Sequence, residues 1–177
     1  MQMTTDRIEK DAFIRAPLPR VWRAISNAQE FGDWFGVEFD GEFRPQTPIR
    51  GRLRPTKADS EVAKNQKPFE GFPFEFFVDR IEPMNFFSFR WHPFAIDPNV
   101  DYSNEPMTLV TFTLEEAQGG TKVVIVESGF DSIPLERRAT AFGANGHVWS
   151  TALELVEKYL LPVIALLQTS VHRPPEG

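Results

Sequence analysis

A long amphipathic pattern near the carboxyl terminus constrains the fold more than any other feature. Apolar side chains recur at steps of three and four from Ile133 to Leu167, which places them on one face of a helix. Pro134 suits a first helical turn, and Pro162 would end or kink the helix at its far end. A helix from Pro134 to Leu161 would be about 40 Å long. It therefore needs a long apolar surface to pack against.

The same pattern predicts which side chains of this helix face inward. Phe142, Asn145, Gly146 and Trp149 lie on the apolar stripe, whereas Lys158 lies on the opposite face, so we expect Trp149 to be buried and Lys158 exposed. Gly146 leaves one inward position without a side chain, at a cost of about 1 kcal/mol relative to Ala. Either the close approach of a strand ring or an open volume for a ligand would offset that cost.

Upstream of the helix, period-two alternation predicts seven strands with two short helices after the first one. The connections are short, which favours an antiparallel sheet with the amphipathic helix across its apolar face, an α+β architecture. The polar segment Pro55 to Gly71 is typical of a long solvated loop, with a lid as the alternative. The predicted strands are Asp6 to Ala16, Val37 to Phe43, Ile49 to Arg54, Phe72 to Glu82, Phe86 to His92, Met107 to Glu115 and Thr121 to Gly129.

The second and third strands alternate in charge as well as in hydropathy. Acidic residues alternate with apolar ones in the second strand and arginines do so in the third, so an antiparallel hairpin would form an ion-pair ladder on its outer face. A basic patch for an anionic ligand is the alternative. The predicted pairs are Glu42 with Arg50, Asp40 with Arg52 and Glu38 with Arg54.

Length and composition bound the class of protein. The 177 residues fit one domain, with about 168–177 as a flexible tail. Phe is abundant at 17 residues against two Tyr, which indicates an interior rich in rings without hydroxyl groups. The formal charge of −6 argues against nucleic-acid binding, because that relies on clustered Lys and Arg. No disulfide is available, because there is no Cys.

The chain shows no sign of membrane insertion or secretion. Met1 to Lys10 is polar and lacks the apolar segment of a signal peptide, and no run approaches the roughly 18 apolar residues of a membrane span. We therefore expect a soluble cytoplasmic protein. No motif for a metal or a cofactor is present, so none is predicted.

Several motifs resemble one family over nearly the whole chain. They are FSFRWHP at Phe87 to Pro93, DYSNEP at Asp101 to Pro106, GGTKVVIVESGF at Gly119 to Phe130, and ERRATAF, HVW and KYL in the helix. With the order of elements, they resemble the AHSA1-like (activator of Hsp90 ATPase homologue) branch of the START/Bet v 1-like, or SRPBCC, superfamily. This resemblance implies a helix-grip fold, in which a curved seven-stranded antiparallel sheet grips the long C-terminal helix, usually around an apolar cavity.

Glu127 is the anomaly in the last strand. Glu127 lies on the same face of the strand as Val123 and Ile125. Lys122 indicates that the opposite face is exposed to solvent, so Glu127 is expected to point toward the helix. A buried carboxylate needs a partner or a proton. Arg138, on the helical stripe, is the predicted partner, with Asn145 as a further contact. Such a pair would anchor the helix to the sheet or orient a ligand.

The sequence thus predicts a binding protein with an apolar cavity for a small hydrophobic or aromatic ligand. No catalytic residue is assigned, and neither the ligand nor the oligomeric state can be identified. Proteins of this superfamily suggest two alternatives: a module that contacts an Hsp90-type chaperone partner, or a cyclase-like enzyme with Glu127 as general base. The predicted ligand-binding residues are Trp34, Phe74, Phe76, Phe89, Trp91, Glu127, Arg138, Phe142, Asn145 and Trp149.

Overall fold

A computed structural model describes residues 6–162. This part of the chain forms a curved seven-stranded antiparallel sheet with strand order β1-β7-β6-β5-β4-β3-β2, which confirms the predicted helix-grip fold. The predicted tail at about 168–177 lies outside the described residues. The strands are β1 (Arg7–Ile14), β2 (Val37–Phe39), β3 (Thr47–Leu53), β4 (Pro73–Glu82), β5 (Phe86–Trp91), β6 (Thr108–Ala117) and β7 (Gly120–Ser128), and the helices are α1 (Leu18–Ser26), α2 (Ala28–Phe35), α3 (Ser60–Gln66) and α4 (Leu135–Tyr159).

Helix α4 is the long helix that the sequence predicts. It begins directly after Pro134 and ends at Tyr159, close to the expected bounds. Trp149 is fully buried and Lys158 is exposed, as the apolar stripe predicts. No helix within residues 6–162 is long and apolar enough to cross a membrane.

The two short helices after β1 are confirmed. Asn27 separates them and caps α2, because its side chain accepts a hydrogen bond from the backbone N–H of Glu30 at 2.9 Å. Gly36 ends α2 in the left-handed conformation at φ 106°, which Gly adopts without a Cβ clash. The chain then enters β2 at the edge of the sheet.

The β2–β3 hairpin keeps its predicted face but not its predicted register. Glu38 lies opposite Arg52, two residues away from the expected pairing. Arg50 and Arg52 point to the outer face, as predicted, and Arg52 contacts Asp40 at 3.5 Å. The pairs Glu42 with Arg50 and Glu38 with Arg54 are wrong: Arg50 pairs with Glu75 of β4, and Arg54 pairs with Asp33 of α2.

The register differs because the hairpin turns earlier than the prolines suggest. Gln46 adopts a positive φ of 57°, and β3 already starts at Thr47. A shift of two residues preserves which face each side chain occupies, so parity could not reveal it. Arg54 lies beyond the end of β3, where strand alternation no longer sets its direction.

The segment Pro55 to Gly71, predicted as a solvated loop, contains helix α3 and a short 3-10 turn, so that prediction is wrong in part. Asp59 caps α3 by accepting from two backbone N–H groups. The Gln66 amide accepts from the N–H of Thr56 at 2.7 Å and donates to the carbonyl of Phe35 at 3.1 Å. The segment is therefore tied to the end of α2.

The interior is a continuous cluster of aromatic rings. Phe76 of β4 and Phe89 of β5 stack with centroids 3.7 Å apart, and Phe31 of α2 packs edge-on against both. Trp149 contacts four rings at centroid separations of 5.4 to 6.4 Å. These rings fill the space that the sequence predicts as a cavity.

Candidate functional site

The candidate site is centred on the carboxylate of Glu127, which is fully buried. One oxygen, Oε1, accepts from Trp149 Nε1 at 2.7 Å and from Asn145 Nδ2 at 2.9 Å. The other oxygen, Oε2, accepts from Trp91 Nε1 at 2.7 Å, from Thr108 Oγ1 at 2.6 Å and from the same Asn145 amide at 3.1 Å. Five hydrogen bonds therefore converge on one side chain.

Three neighbouring strands and α4 supply these groups. Trp91 is the last residue of β5 and lies opposite Thr108, the first residue of β6. Glu127 of β7 lies opposite Val110 of β6. Val110 and Thr108 are two residues apart on β6, so the side chains of Glu127 and Thr108 point to the same face of the sheet. Asn145 and Trp149 are four residues apart on α4 and hence on one face of the helix. The cluster thus connects the helix to the middle of the sheet.

Arg138 is not the partner of Glu127, so the predicted ion pair is wrong. Its guanidinium donates to the backbone carbonyls of Ile133 at 3.1 and 3.0 Å and of Asp131 at 2.8 Å. Because Arg138 lies in the first turn of α4, it reaches back to the preceding 3-10 turn and caps it. The predicted contact of Asn145 with Glu127 is confirmed.

The carboxylate has only neutral donors as partners. No Lys, Arg or His side chain within residues 6–162 forms an ion pair with Glu127. Burying an ion typically costs several kcal/mol, which the hydrogen bonds must offset. Indole N–H groups can only donate, and an ionised carboxylate can only accept, so the two kinds of group are matched. Each oxygen already has at least two donors.

Aromatic rings form a wall beside this cluster. Phe74, Phe76 and Phe89 surround Trp91 at centroid separations of 6.0, 5.6 and 5.6 Å. Trp91 in turn lies 5.4 Å from Trp149. The N–H groups of both indoles thus donate to Glu127, and both rings pack against phenyl rings.

Besides Arg138, two further predicted site residues lie outside the Glu127 cluster. Trp34 is buried in the α1–α2 unit, where its indole N–H donates to the carbonyl of Ala24 at 2.8 Å. Phe142 is half-buried on the flank of α4 that lies along β1, where it packs edge-on against Phe130. Phe142 is seven residues before Trp149, so the two lie on nearly the same face of α4 but about 10 Å apart along its axis.

Sequence reasoning missed Thr108 and Phe35. Thr108 shares parity with Val110 and Phe112, which marks it as inward-facing, but it stands next to a long predicted loop. Phe35 is the last residue of α2, and its ring stacks on Trp149 with centroids 5.9 Å apart. Only the position of α2 against α4, which the pattern does not contain, could have revealed that contact.

The segment between β5 and β6 covers one end of the site. It joins Trp91 to Thr108 and is tied to α4 by Arg137, which contacts Glu105 Oε2 at 2.5 Å and the carbonyl of Pro93 at 2.7 Å. His92 lies at the start of this segment. Burial lowers the pKa of His92, despite the opposing effect of the Glu105 carboxylate.

A groove separates α4 from β1 on the far flank of the helix. It has a volume of about 460 Å³ and is lined on the helix by Phe142, Gly143, Gly146, His147 and Ser150. A Cβ atom built on Gly146 would meet no atom within 4 Å, so no strand ring approaches this position. Close approach of a ring is therefore not the explanation for Gly146. This position borders an open volume toward β1 and not a cavity between Trp149 and the strand rings.

The fold and the site together define a helix-grip protein with a polar centre between helix and sheet. Residues 15–160 match the family model described as "Activator of Hsp90 ATPase homolog 1-like protein". The chain therefore belongs to this AHSA1-like family, as its sequence motifs indicate. A search of curated proteins found no match.

Solved structures with the same fold come from several bacteria. A Mesorhizobium loti protein is 21% identical with a TM-score of 0.63, over 87% of this chain and 96% of that one. An Arthrobacter aurescens protein is 15% identical with a TM-score of 0.68, over 91% and 90%. DynU16, from the dynemicin biosynthetic locus, is 19% identical with a TM-score of 0.59, over 88% of this chain but only 47% of that one.

Proposed function

We propose that this protein binds a small hydrophobic or aromatic molecule between α4 and the sheet, against the ring faces of Trp91 and Trp149. The observation that carries the proposal is the buried Glu127 carboxylate, which holds both indole N–H groups at 2.7 Å. One indole comes from the sheet and the other from the helix. Glu127 thereby fixes the orientation of two opposite walls of the proposed site.

The energetic cost of this arrangement supports a functional role. Replacing buried charged groups by apolar residues of similar volume is often neutral or stabilising. Glu127 has no cationic partner within residues 6–162, yet it lies among the buried apolar residues of the core. Polar groups placed among aromatic walls are typical of small-molecule sites, where a few such groups set geometry.

The edge of the ring wall provides the entry for the ligand. Phe35 and Phe74 are half-buried, whereas Phe76 and Phe89 behind them are fully buried. Both half-buried rings contact the indoles, Phe35 on Trp149 and Phe74 on Trp91. In the proposed bound state these two rings swing outward and the ligand takes their place.

Binding of the apolar fluorescent probe N-phenyl-naphthylamine tests this proposal. Trp149→Phe should weaken binding, because it removes part of the wall and one anchor to Glu127. Trp22→Phe is the control, since it also truncates a buried indole but lies in α1, outside the ring pairs of Phe35 and Phe74. Equal affinities of the two variants and the parent would contradict the proposal. If binding is found, native mass spectrometry of the protein purified from its own host can identify a co-purified molecule.

Enzymatic use of Glu127 has less support from the geometry. A general base needs an oxygen within hydrogen-bond reach of the substrate proton. Here both oxygens already accept from two or more donors, so a substrate would first have to displace one of them. If Glu127 is a base in a cyclase-like reaction, Glu127→Gln must abolish turnover while thermal unfolding shows that the variant is still folded.

A chaperone contact is the second candidate, favoured by the description of the matching family. Leu135 at the start of α4 is 75% exposed and offers an apolar contact outside the ring cluster. Stimulation of a purified Hsp90 ATPase by the protein, lost in Leu135→Glu and retained in Trp149→Phe, would support this function. Absence of any stimulation by the parent would exclude that partner.

A further inference from the structure

The groove between β1 and α4 is separate from the ring cluster. Its upper part has a volume of about 460 Å³, and a continuation of about 330 Å³ runs further along the same two elements. Glu9, Lys10 and Ser150 line both parts, so the groove is continuous. Glu127, by contrast, has its donors on β5, β6 and α4.

The helical wall of the groove carries no side chain at two positions. Cβ atoms built on Gly143 and Gly146 would meet nothing within 4 Å. Elsewhere in the chain a glycine is required by close backbone contact, as at Gly51, where an added Cβ would overlap the backbone of Glu38. Close packing therefore explains Gly51 but does not explain the two glycines of α4, which keep the groove open.

The floor of the upper groove is apolar. Ile8 is buried on the inner face of β1, and Phe142 is half-buried on α4. Lys10 follows Ile8 on the same face of β1, because residues two apart in a strand point the same way. Its side chain is only partly exposed and forms no ion pair with any carboxylate in residues 6–162.

The charges along the groove are unequally distributed. The upper part is lined by Arg7, Lys10 and His147 against one acidic residue, Glu9, which already contacts Arg7 at 3.1 Å. The lower part is lined by four acidic residues and by Lys10: Glu9, Asp11, Glu154 and Glu157 are the acids. An anion is therefore favoured at the upper end and opposed at the lower end.

We propose that the upper groove binds a small amphipathic anion, with its apolar body on Ile8 and Phe142 and its acidic group on the ammonium of Lys10. Lys10 is suited to this role because its free ammonium stands at the border between the apolar floor and solvent. The glycines of α4 leave room for the body of the ligand. This site goes beyond the proposed ring-cluster function and does not depend on it.

Two fluorescent probes that differ by one sulfonate test the proposal. Anilinonaphthalene sulfonate is N-phenyl-naphthylamine with an added anionic group. Lys10→Gln should weaken binding of the sulfonate probe by about tenfold, the order of one charge-assisted contact at a partly exposed site, and leave the neutral probe unchanged. Lys122→Gln is the matched control, because it removes the same charge from the exposed outer face of β7.

A second pair of variants separates this site from the ring cluster. Gly146→Leu fills the groove and should abolish the Lys10-dependent binding of the sulfonate probe, whereas Trp149→Phe should leave it intact. Thermal unfolding of each variant tests whether the fold is retained. The proposal is overturned if Lys10→Gln and Lys122→Gln have equal effects, or if Gly146→Leu leaves sulfonate binding unchanged. If Trp149→Phe does not weaken binding of the neutral probe, only the proposed ring-cluster function is contradicted, and the groove site is not.

Discussion

The two flanks of α4 are built in opposite ways. Toward α2, the helix is closed by rings, with Phe35 stacked on Trp149 at 5.9 Å. Toward β1, Gly143 and Gly146 leave a groove of about 460 Å³. One helix thus provides both a packed wall that stabilises the fold and an open wall that costs helix stability. Mutations on the two flanks should therefore change stability in opposite directions.

The largest effect is expected on the packed flank from Trp149→Ala. Trp149 is fully buried, contacts four rings and donates to Glu127. Truncating a large buried ring typically costs 3 to 5 kcal/mol, so we expect a loss of about 4 kcal/mol in the free energy of unfolding. Denaturant unfolding measures this loss. A cost of less than about 1 kcal/mol would mean that the rings are not closely packed.

Glu127→Gln should have the next largest effect. The Gln amide presents an NH₂ group where the carboxylate has an oxygen, so at least one buried donor among Trp91, Thr108, Asn145 and Trp149 loses its acceptor. Leaving such a donor unsatisfied costs about 1 to 3 kcal/mol. Chemical denaturation of the variant against the parent gives the value. An unchanged or increased stability would show that the charge itself is the larger burden.

On the groove flank, Gly146→Ala should stabilise the protein. A Cβ at this position meets no neighbour, and Ala is favoured over Gly in a helix by about 1 kcal/mol. The free energy of unfolding should therefore rise by about that amount, and Gly143→Ala should behave alike. A lower free energy of unfolding for Gly146→Ala would show that the groove is closed around this position in solution. Both flanks of α4 would then be closely packed.

The smallest effect is confined to alkaline pH and concerns the end of α4 on the packed flank. The hydroxyl of Tyr159 donates to Glu30 of α2 at 2.8 Å, and burial together with this hydrogen bond raises the pKa of Tyr159 from 10.0 to about 12. The stability that follows from this shift is fully present below pH 10.0 and is lost as the pH rises toward about 12.

Tyr159→Phe removes that titration. The variant should therefore lose less stability than the parent over the same alkaline range, even if it is slightly less stable at neutral pH. Denaturant unfolding of both proteins at successive pH values measures the difference. Parallel curves would indicate that Tyr159 is not held by Glu30 in solution.

Much of the fold follows from the spacing of apolar residues along the sequence alone. Alternation predicts all seven strands, and the steps of three and four predict α4 with Trp149 inside and Lys158 outside. The register of the β2–β3 hairpin could not be predicted, because a shift by two residues keeps every side chain on the same face. The contact of Arg54 with Asp33 depends on where α2 packs, which is tertiary information.

The candidate site was predictable only in part for the same reason. Parity places Glu127 toward the helix and the helical stripe places Asn145 and Trp149 toward the sheet, so their meeting could be foreseen. A pattern assigns a face but not a partner, and Arg138 therefore could not be distinguished from Asn145 as a contact. Whether rings fill a space or leave it open depends on sheet curvature and helix distance. Neither is encoded in a periodic pattern, so the filled core and the β1 groove were both missed.

The indole N–H signals in a nitrogen-15 NMR spectrum test the central claim most directly, because the chain has four Trp residues in different surroundings. The claim is that a small apolar molecule binds against the indoles that Glu127 holds. On titration with N-phenyl-naphthylamine, the signals of Trp91 and Trp149 should shift, while that of Trp22 in α1 should stay in place. Unchanged signals of Trp91 and Trp149 at saturating probe would contradict the account.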